Sequence, residues 1–468
     1  MSHAKEAEKT QYLKLFYAID KLDECSDELL KKKLKGNSFI KHLPVTKNYL
    51  FNAILKQLKA YRSDFLINDT LIELLRDADI LVRKTLYKEG YKILRKAAEL
   101  AEKYELFLFC LEIYDRILAL NYDLPANEKT ISESFDIYNK QITVLNKYTE
   151  IVEQKKLQTR RGEILCASLK PEEQEKKLKA LLQEPLLKED FNFSSYSSGL
   201  YHYHTKGLIH VHYHDTHTGR GYKVNKKFVE HLESNPDLLR VNMARYSSSV
   251  NNFMLCQLTL KKYDEFKTTV KKLTELKPEN EYLNYRIKEK VIGLMLVYYI
   301  FTHNYEEGKT YILKNEKDLV ENENLYGRSF LMAIVDSCCV IHFMLKEYSM
   351  ALKWVNRILN YKGNIRYEIQ GVARLINLLI HYELKNYDHV EYLLKPTTTF
   401  LKKHNLYHEY EKEIISFFGR VVELNKEIEI KREFSKIAES LKKYRQSARE
   451  LEMFIFFDMP GWFATKAK

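Results

Sequence analysis

Two kinds of apolar pattern alternate along the second half of the chain. In "EFKTTVKKLTEL", residues 265–276, Phe266, Val270 and Leu273 recur at three- and four-residue steps, which puts them on one face of a helix. The stretch before it, "FMLCQLTL" (253–260), is apolar almost throughout, and "VIGLMLVYYIF" (291–301) has the same character. The alternation predicts helix pairs, each an apolar first helix followed by an amphipathic second one.

Five six-residue stretches mark the junctions: "TLYKEG" (85–90), "KKYDEF" (261–266), "HNYEEG" (303–308), "KEYSMA" (346–351) and "KNYDHV" (385–390). Tyrosine is third in each, with polar or acidic residues beside it. From Tyr263 through Tyr305 and Tyr348 to Tyr387 the steps are 42, 43 and 39 residues. A period in this range marks stacked helical hairpins, with the tyrosine at the turn.

The same reading organises the rest of the chain. Residues 1–62 contain three helices, the third opening after Pro44 with Leu50, Ile54, Leu58 and Tyr61 along one stripe. Residues 63–170 read as hairpins that include a long helix over 131–168, where Tyr138, Ile142, Leu145 and Val152 stand at near-heptad spacing. That spacing predicts a seam against an antiparallel neighbour. In "SLKPEEQEKKLKALLQEPLLKEDF" (168–191), Pro171 and Pro185 flank a charged run, so 171–191 is expected as a linker or short helix before the regular array of 192–427. Residues 428–468 close it, with Phe434, Ile437, Leu441 and Tyr444 on a capping helix and "FIFFDMPGWF" as an aromatic plug.

The junctions resemble the tetratricopeptide repeat. They share its aromatic before the second helix, its small residue three later (Gly90, Gly308, Ala351) and, in Pro278, its closing proline. The first-helix tryptophan is missing, Phe266 and Val390 are larger than the pattern prefers, and the period exceeds its 34 residues by about one extra turn per helix. The segments "LPVTKNYLFNAILKQL", "LYKEGYKILRKAAELAEKYE", "RYSSSVNNFMLCQL" and "FDMPGWFATK" resemble a family of uncharacterised bacterial helical-repeat proteins over nearly the whole chain. These resemblances imply an all-α fold: a tetratricopeptide-like α-solenoid of stacked antiparallel helix pairs, with an N-terminal helical domain and a C-terminal capping helix. They imply no activity.

Composition supports helices throughout: 14 Gly and 8 Pro in 468 residues leave few breaks. The 34 tyrosines suit helix seams whose edges stay wet. Six cysteines form no CxxC pair, the N-terminus lacks a signal-peptide core, and the longest apolar run is too short to span a bilayer. A cytoplasmic protein without membrane insertion is the expectation. Net charge is +12, of which +6 falls in residues 1–62. With Lys47, Asn48, Lys56, Lys59 and Arg62 on its third helix, that segment admits a helix-turn-helix that binds nucleic acid. A cap over the first hairpin is the preferred reading.

No catalytic motif is present, and no enzyme and no cofactor are expected. "GKT" at 308–310 lacks the glycine a phosphate-binding loop needs five residues before Gly308, where His303 stands. The one dense chemical cluster is "HYHTKGLIHVHYHDTHTGRGY" (202–222), with six histidines. It reads as a first helix, a turn with Thr218 in the tyrosine place, and a second helix with Gly221 as the small residue. On a helix, His210, His214 and His217 share one side and could hold a zinc ion. A solvated helix face is the preferred reading, because no carboxylate or thiol lies at ligand spacing.

Stacked hairpins rotate into a curved array whose first helices line a concave groove. The inward positions expected there are Tyr203, Lys206, His210, Tyr213, His214, Asn251, Asp336 and Tyr382. Such a surface suits an extended peptide or a helix, so the expected function is a protein-interaction scaffold with a protein or peptide partner. A nucleic-acid-binding regulator and a metal-binding protein are the alternatives.

Overall fold

The computed structural model describes residues 12–22, 26–61, 67–123, 128–167, 169, 171–212, 219–278, 280–361, 363, 365–446 and 457–467. Every regular element among them is helical, and none is a strand. The chain forms two compact units, Met1–Leu145 and Asn146–Lys468.

The first unit begins with helix α1 (12–20), α2 (Asp27–Lys33), a 3-10 turn (Ser38–His42) and α3 (Leu43–Tyr61). Ser26 caps α2 by accepting a bond from the Leu29 amide at 3.2 Å. Pro44 sits in the first turn of α3, where its missing N–H costs nothing. Leu15, Leu30, Phe39, Leu43 and Leu50 close a small core among these elements. Next come α4 (Ile67–Arg83), α5 (Tyr87–Lys103), α6 (Phe107–Asp123) and α7 (Glu128–Cys166), with α4 packed on α5 and α5 on α6. The boundary between the units falls inside α7.

The seam expected on α7 is not formed. Tyr138, Ile142, Leu145 and Val152 are 37–57% exposed, whereas Ile137, Val144 and Ile151 are buried. Each buried residue immediately precedes an exposed one, a rotation of about 100° on a helix. The helix carries two neighbouring apolar stripes, and the spacing alone does not select between them.

The second unit continues with α8 (Pro171–Leu181), a 3-10 turn (Pro185–Leu187), α9 (Tyr196–His212), α10 (Arg220–Glu233) and α11 (Pro236–Val241). The segment expected as linker or short helix thus folds, and Leu178, Leu181 and Leu187 pack with Leu157 and Ile209. The hairpins follow: α12 (Met243–Thr259) with α13 (Tyr263–Thr274), α14 (Glu281–Phe301) with α15 (Tyr305–Glu321), α16 (Arg328–Met344) with α17 (Tyr348–Leu359), and α18 (Tyr367–Glu383) with α19 (Tyr387–Lys403). Helices α20 (Glu409–Val421), α21 (Glu427–Leu441) and α22 (Met459–Lys466) end the chain.

The recurrent tyrosines occupy one structural position. Tyr87, Tyr263, Tyr305, Tyr348 and Tyr387 are the first residues of α5, α13, α15, α17 and α19. Two residues before each, Thr85, Lys261, His303, Lys346 and Lys385 take left-handed φ values of 56–61°. The residue between has φ from −88 to −83° and ψ of 60–61° in all five turns. Its amide reaches the carbonyl five residues back at 2.8–3.0 Å, as in Leu86 to Leu81 and Glu347 to His342. This is a Schellman closure, which satisfies carbonyls left open at the end of the first helix.

Three residues after each tyrosine the chain meets the preceding helix. Gly90, Phe266, Gly308, Ala351 and Val390 are all buried there. A Cβ on Gly308 would stand 3.0 Å from Ile341 Cδ1 and 3.1 Å from Tyr299 Cβ, so a side chain there would require these neighbours to give by a few tenths of an ångström. At Phe266 the ring instead stacks on Tyr298, 5.5 Å between centroids, in place of such close approach.

Thr85 is the β-branched member of the left-handed set, where an L-residue costs roughly 1–2 kcal/mol. Thr85→Gly should therefore stabilise the first unit by about 0.5–1 kcal/mol after the added unfolded-state entropy of glycine. Thermal unfolding followed by circular dichroism checks this. A lowered midpoint would show that the Thr85 hydroxyl bond to the Lys84 carbonyl, 2.6 Å, outweighs the strain.

Helix α14 packs on both α12 and α16, while α13, α15 and α17 pack on the first helices that flank them. First helices are consequently enclosed on most sides: eleven residues of α16, from Leu331 to Phe343, are buried, against Ala351, Trp354, Val355 and Ile358 in α17.

Candidate binding surfaces

This enclosure decides where the groove residues expected from the sequence go. On α9, Lys206 is 6% and His210 8% exposed, so neither is presented to a partner. Tyr203 is half-buried against Phe193, Phe228 and His231, with centroids 5.5–6.3 Å away. Asn251 lies on α12, partly exposed, and no hydrogen bond joins it to Lys206. Tyr382 on α18 belongs to a ring cluster with Tyr387, Phe418, Phe434 and Trp462. Tyr213, His214 and His217 lie outside the described residues, as does Thr218. Lys206, His210, Tyr203 and Tyr382 are thus packing positions, while Asn251 keeps a partly exposed side chain.

The histidines are corrected in the same way. His202, His204 and His210 are not on a solvated face. The His202 Nδ1 is 2.7 Å from the Leu186 carbonyl and its ring stands edge-on to Phe193 at 4.9 Å. Burial pushes the His202 imidazole down to about 4, so it is neutral at physiological pH. His231 Nε2 donates to the Tyr196 carbonyl at 2.9 Å, and the ring stacks on the Tyr196 ring at 4.7 Å. These imidazoles serve as polar-edged aromatics in a packed layer. Among the described residues no group of three His, Cys, Asp or Glu is placed to hold a metal ion.

Asp336 on α16 has a different character. Its Oδ1 is buried without a hydrogen-bond partner. Burial lifts its carboxyl to about 7, and the Arg366 charge offsets only part of that. A carboxyl raised on folding contributes its full stability below pH 4 and loses it progressively as pH rises to 7. Asp336→Asn should thus stabilise the second unit by roughly 1–3 kcal/mol at pH 8 and change little at pH 4. Urea unfolding at the two pH values reads the difference directly.

An open cleft of about 800 Å³ lies instead at the turn end of the hairpins. Its aromatic lining includes Tyr263, Phe301, Tyr305, Phe343, Tyr348 and Trp462, so three successive junction tyrosines share it. The left-handed turn residues Lys261, His303 and Lys346 also line it, joined by Lys466. Helix α22 supplies one wall, capped by Asp458, whose Oδ1 accepts from the Gly461 amide at 2.9 Å. Trp462 Nε1 donates to Glu383 Oε1 at 2.9 Å and Lys466 Nζ to Glu383 Oε2 at 2.7 Å. Phe463 is fully buried against Phe417 and Phe434. Burial raises the Tyr348 phenol to about 12, with Glu383 adding to the shift, so it remains a neutral donor.

The cleft was not read from the sequence, although its signal was present. The junction alignment that finds the tyrosines also places Lys, His or Thr two positions earlier, at the tip of each turn. What was missing was the fact that successive tips meet at one edge. No helix among the described residues is long and apolar enough to cross a membrane. No protein-family model matches the chain, and no curated protein matches it either.

Proposed function

We propose that the chain is a tetratricopeptide-like α-solenoid that acts as a non-enzymatic protein-interaction scaffold, holding an extended acidic peptide of its partner in the turn-end cleft. The observation that carries this reading is the shared cleft itself, where three junction tyrosines and three left-handed turn residues recur at fixed spacing. An extended peptide crossing successive hairpins meets an equivalent aromatic and an equivalent polar tip at each step. Lys261 and Lys346 favour carboxylates, Lys466 being already paired with Glu383, and the tyrosine and tryptophan faces accept apolar side chains between them. The groove expected on first helices near residues 203–260 is set aside, since Lys206 and His210 are buried.

Peptide display against the full chain tests the proposal. Selected sequences should be acidic with interspersed apolar residues, and Lys261→Glu with Lys346→Glu should weaken them at least about tenfold. Selection of neutral or basic sequences, or equal binding to the charge-reversed chain, would remove the reading. The nucleic-acid alternative gains little from the N-terminal helices. Lys47 is paired with Asp27, and the exposed residues of α3 include Val45, Tyr49, Phe51 and Ile54.

A further inference from the structure

Helix α7 leaves one of its two apolar stripes in water. The inner stripe, Ile137, Val144 and Ile151, is buried at seven-residue steps. The outer one runs Ile131, Phe135, Tyr138, Ile142, Leu145, Thr149 and Val152, with steps of four and three alternating without a break. That is the a/d pattern of a coiled coil over three heptads, a seam about 33 Å long on a helix. Its six large apolar residues are 37–66% exposed, and every exposed large apolar residue of α7 among the described residues belongs to it.

Helix α6 borders this stripe. Asn121 Nδ2 donates to Ser134 Oγ at 3.3 Å and Gln141 Nε2 to Asp115 Oδ1 at 2.6 Å, which holds one flank of the stripe against α6. Between the two helices lies an open groove of about 340 Å³, lined by Leu118, Tyr122, Ile131, Phe135 and Tyr138, with Tyr122 91% exposed. A side chain from a helix laid along the stripe would enter this groove as a knob enters a hole. Single exposed apolar residues are ordinary, but a continuous apolar patch of this length marks a contact surface.

Charge selects the occupant. Residues at positions e and g beside a coiled-coil seam set partner choice through their charges. Here they are Ser132, Asn139 and Asn146 on one side and Ser134, Gln141 and Tyr148 on the other, uncharged until Glu153 and Lys155. The seam therefore carries no charge code for a different helix, and a copy of itself meets it without repulsion. The whole chain carries +12, yet residues 128–152 hold three lysines against four acidic residues. This is a near-neutral face on which two copies of a basic chain can approach. Covering the stripe and Tyr122 would bury roughly 600 Å² per copy, about 1,200 Å² for the pair, which reaches the lower bound of specific interfaces.

We propose that the chain is a homodimer whose two copies pack the outer stripe of α7, joined by Tyr122 of α6, against each other as a short two-helix coiled coil. The seam that the heptad spacing predicts then forms between copies and not within one.

Sedimentation velocity of the full chain across the micromolar range should show twice the mass of one chain, with dissociation on dilution. Phe135→Glu combined with Ile142→Glu puts like charges into the seam of both copies and should weaken association at least about hundredfold. Both side chains are exposed in the single chain, so its circular dichroism should be unchanged. Ile428→Glu, equally exposed on α21 but off the stripe, should leave the mass unchanged. Because the flanks are uncharged, added sodium chloride should not separate the pair. Ile142→Cys, followed by mass spectrometry at that position, should react with a maleimide faster as the chain is diluted. A monomer throughout the range, a dimer that survives Phe135→Glu with Ile142→Glu, or dissociation by Ile428→Glu as well would each overturn the proposal. So would an Ile142→Cys rate independent of concentration, which would mean that the stripe is free or is covered within one chain. The measurement on the unsubstituted chain does not depend on any variant folding. The outcome is independent of the turn-end cleft, none of whose lining residues lies on α6 or α7.

Discussion

Trp354→Ala should destabilise the second unit by about 3–5 kcal/mol, the range for truncating a fully buried aromatic. Trp354 is 1% exposed on α17 and belongs to the continuous core that runs from Tyr285 to Phe463. It sits three residues after Ala351, so it occupies the layer where the second helix of a hairpin meets the first. The indole Nε1 has no hydrogen-bond partner, and the Arg357 guanidinium lies 5.4 Å from the ring centroid. Trp354→Phe therefore sacrifices volume without losing a hydrogen bond, and it should cost about half as much. Denaturant unfolding followed by circular dichroism would read both variants, with the loss confined to the transition of the second unit. Equal costs for Ala and Phe would mean that the indole edge, not its volume, holds the site.

Removing Glu289 should cost about as much, for an electrostatic reason. Glu289 is 1% exposed on α14 and accepts the Gly327 amide at 2.7 Å, which anchors the turn before α16. It faces the Arg286 guanidinium at 3.3 Å and the Lys290 ammonium at 3.7 Å, and Lys290 is itself 4% exposed. Arg286 also donates to the Leu325 carbonyl and Lys290 to the Arg286 carbonyl. Glu289→Ala leaves two cations in the interior with no carboxylate, and breaking such a group from one side costs about 3–5 kcal/mol. Lys290→Met in the same background should recover part of that, because one uncompensated charge is then gone. Double-mutant unfolding measurements supply the check. Additive losses would show that Lys290 and Glu289 act independently.

The junction motif was the most legible part of the chain. Tyr263, Tyr305, Tyr348 and Tyr387, aligned by sequence alone, prove to start their helices after turns that agree within a few degrees. Local backbone chemistry sets this: a left-handed residue, a back-reaching amide and a small or well-stacked residue three positions later operate within ten residues. The aromatic tail was legible in part: Phe463 packs on Phe417 and Phe434 of the last helices, but Phe457 and Trp462 reach back to Phe343 on α16. The site was not. Spacing places Lys206, His210 and Asp336 on an open inner surface, but Lys206 and His210 are buried on α9 and one oxygen of Asp336 is buried on α16.

By itself the sequence determined helix pairs, their period and the position of each turn, because periodicity and turn chemistry are local properties of the chain. Only the tertiary structure decided which of two apolar stripes on α7 is buried, that the histidines of α9 pack as rings, and that three junction tyrosines share one cleft. Those outcomes depend on which helix faces lie opposite one another, and that is fixed by contacts between residues tens to hundreds of positions apart.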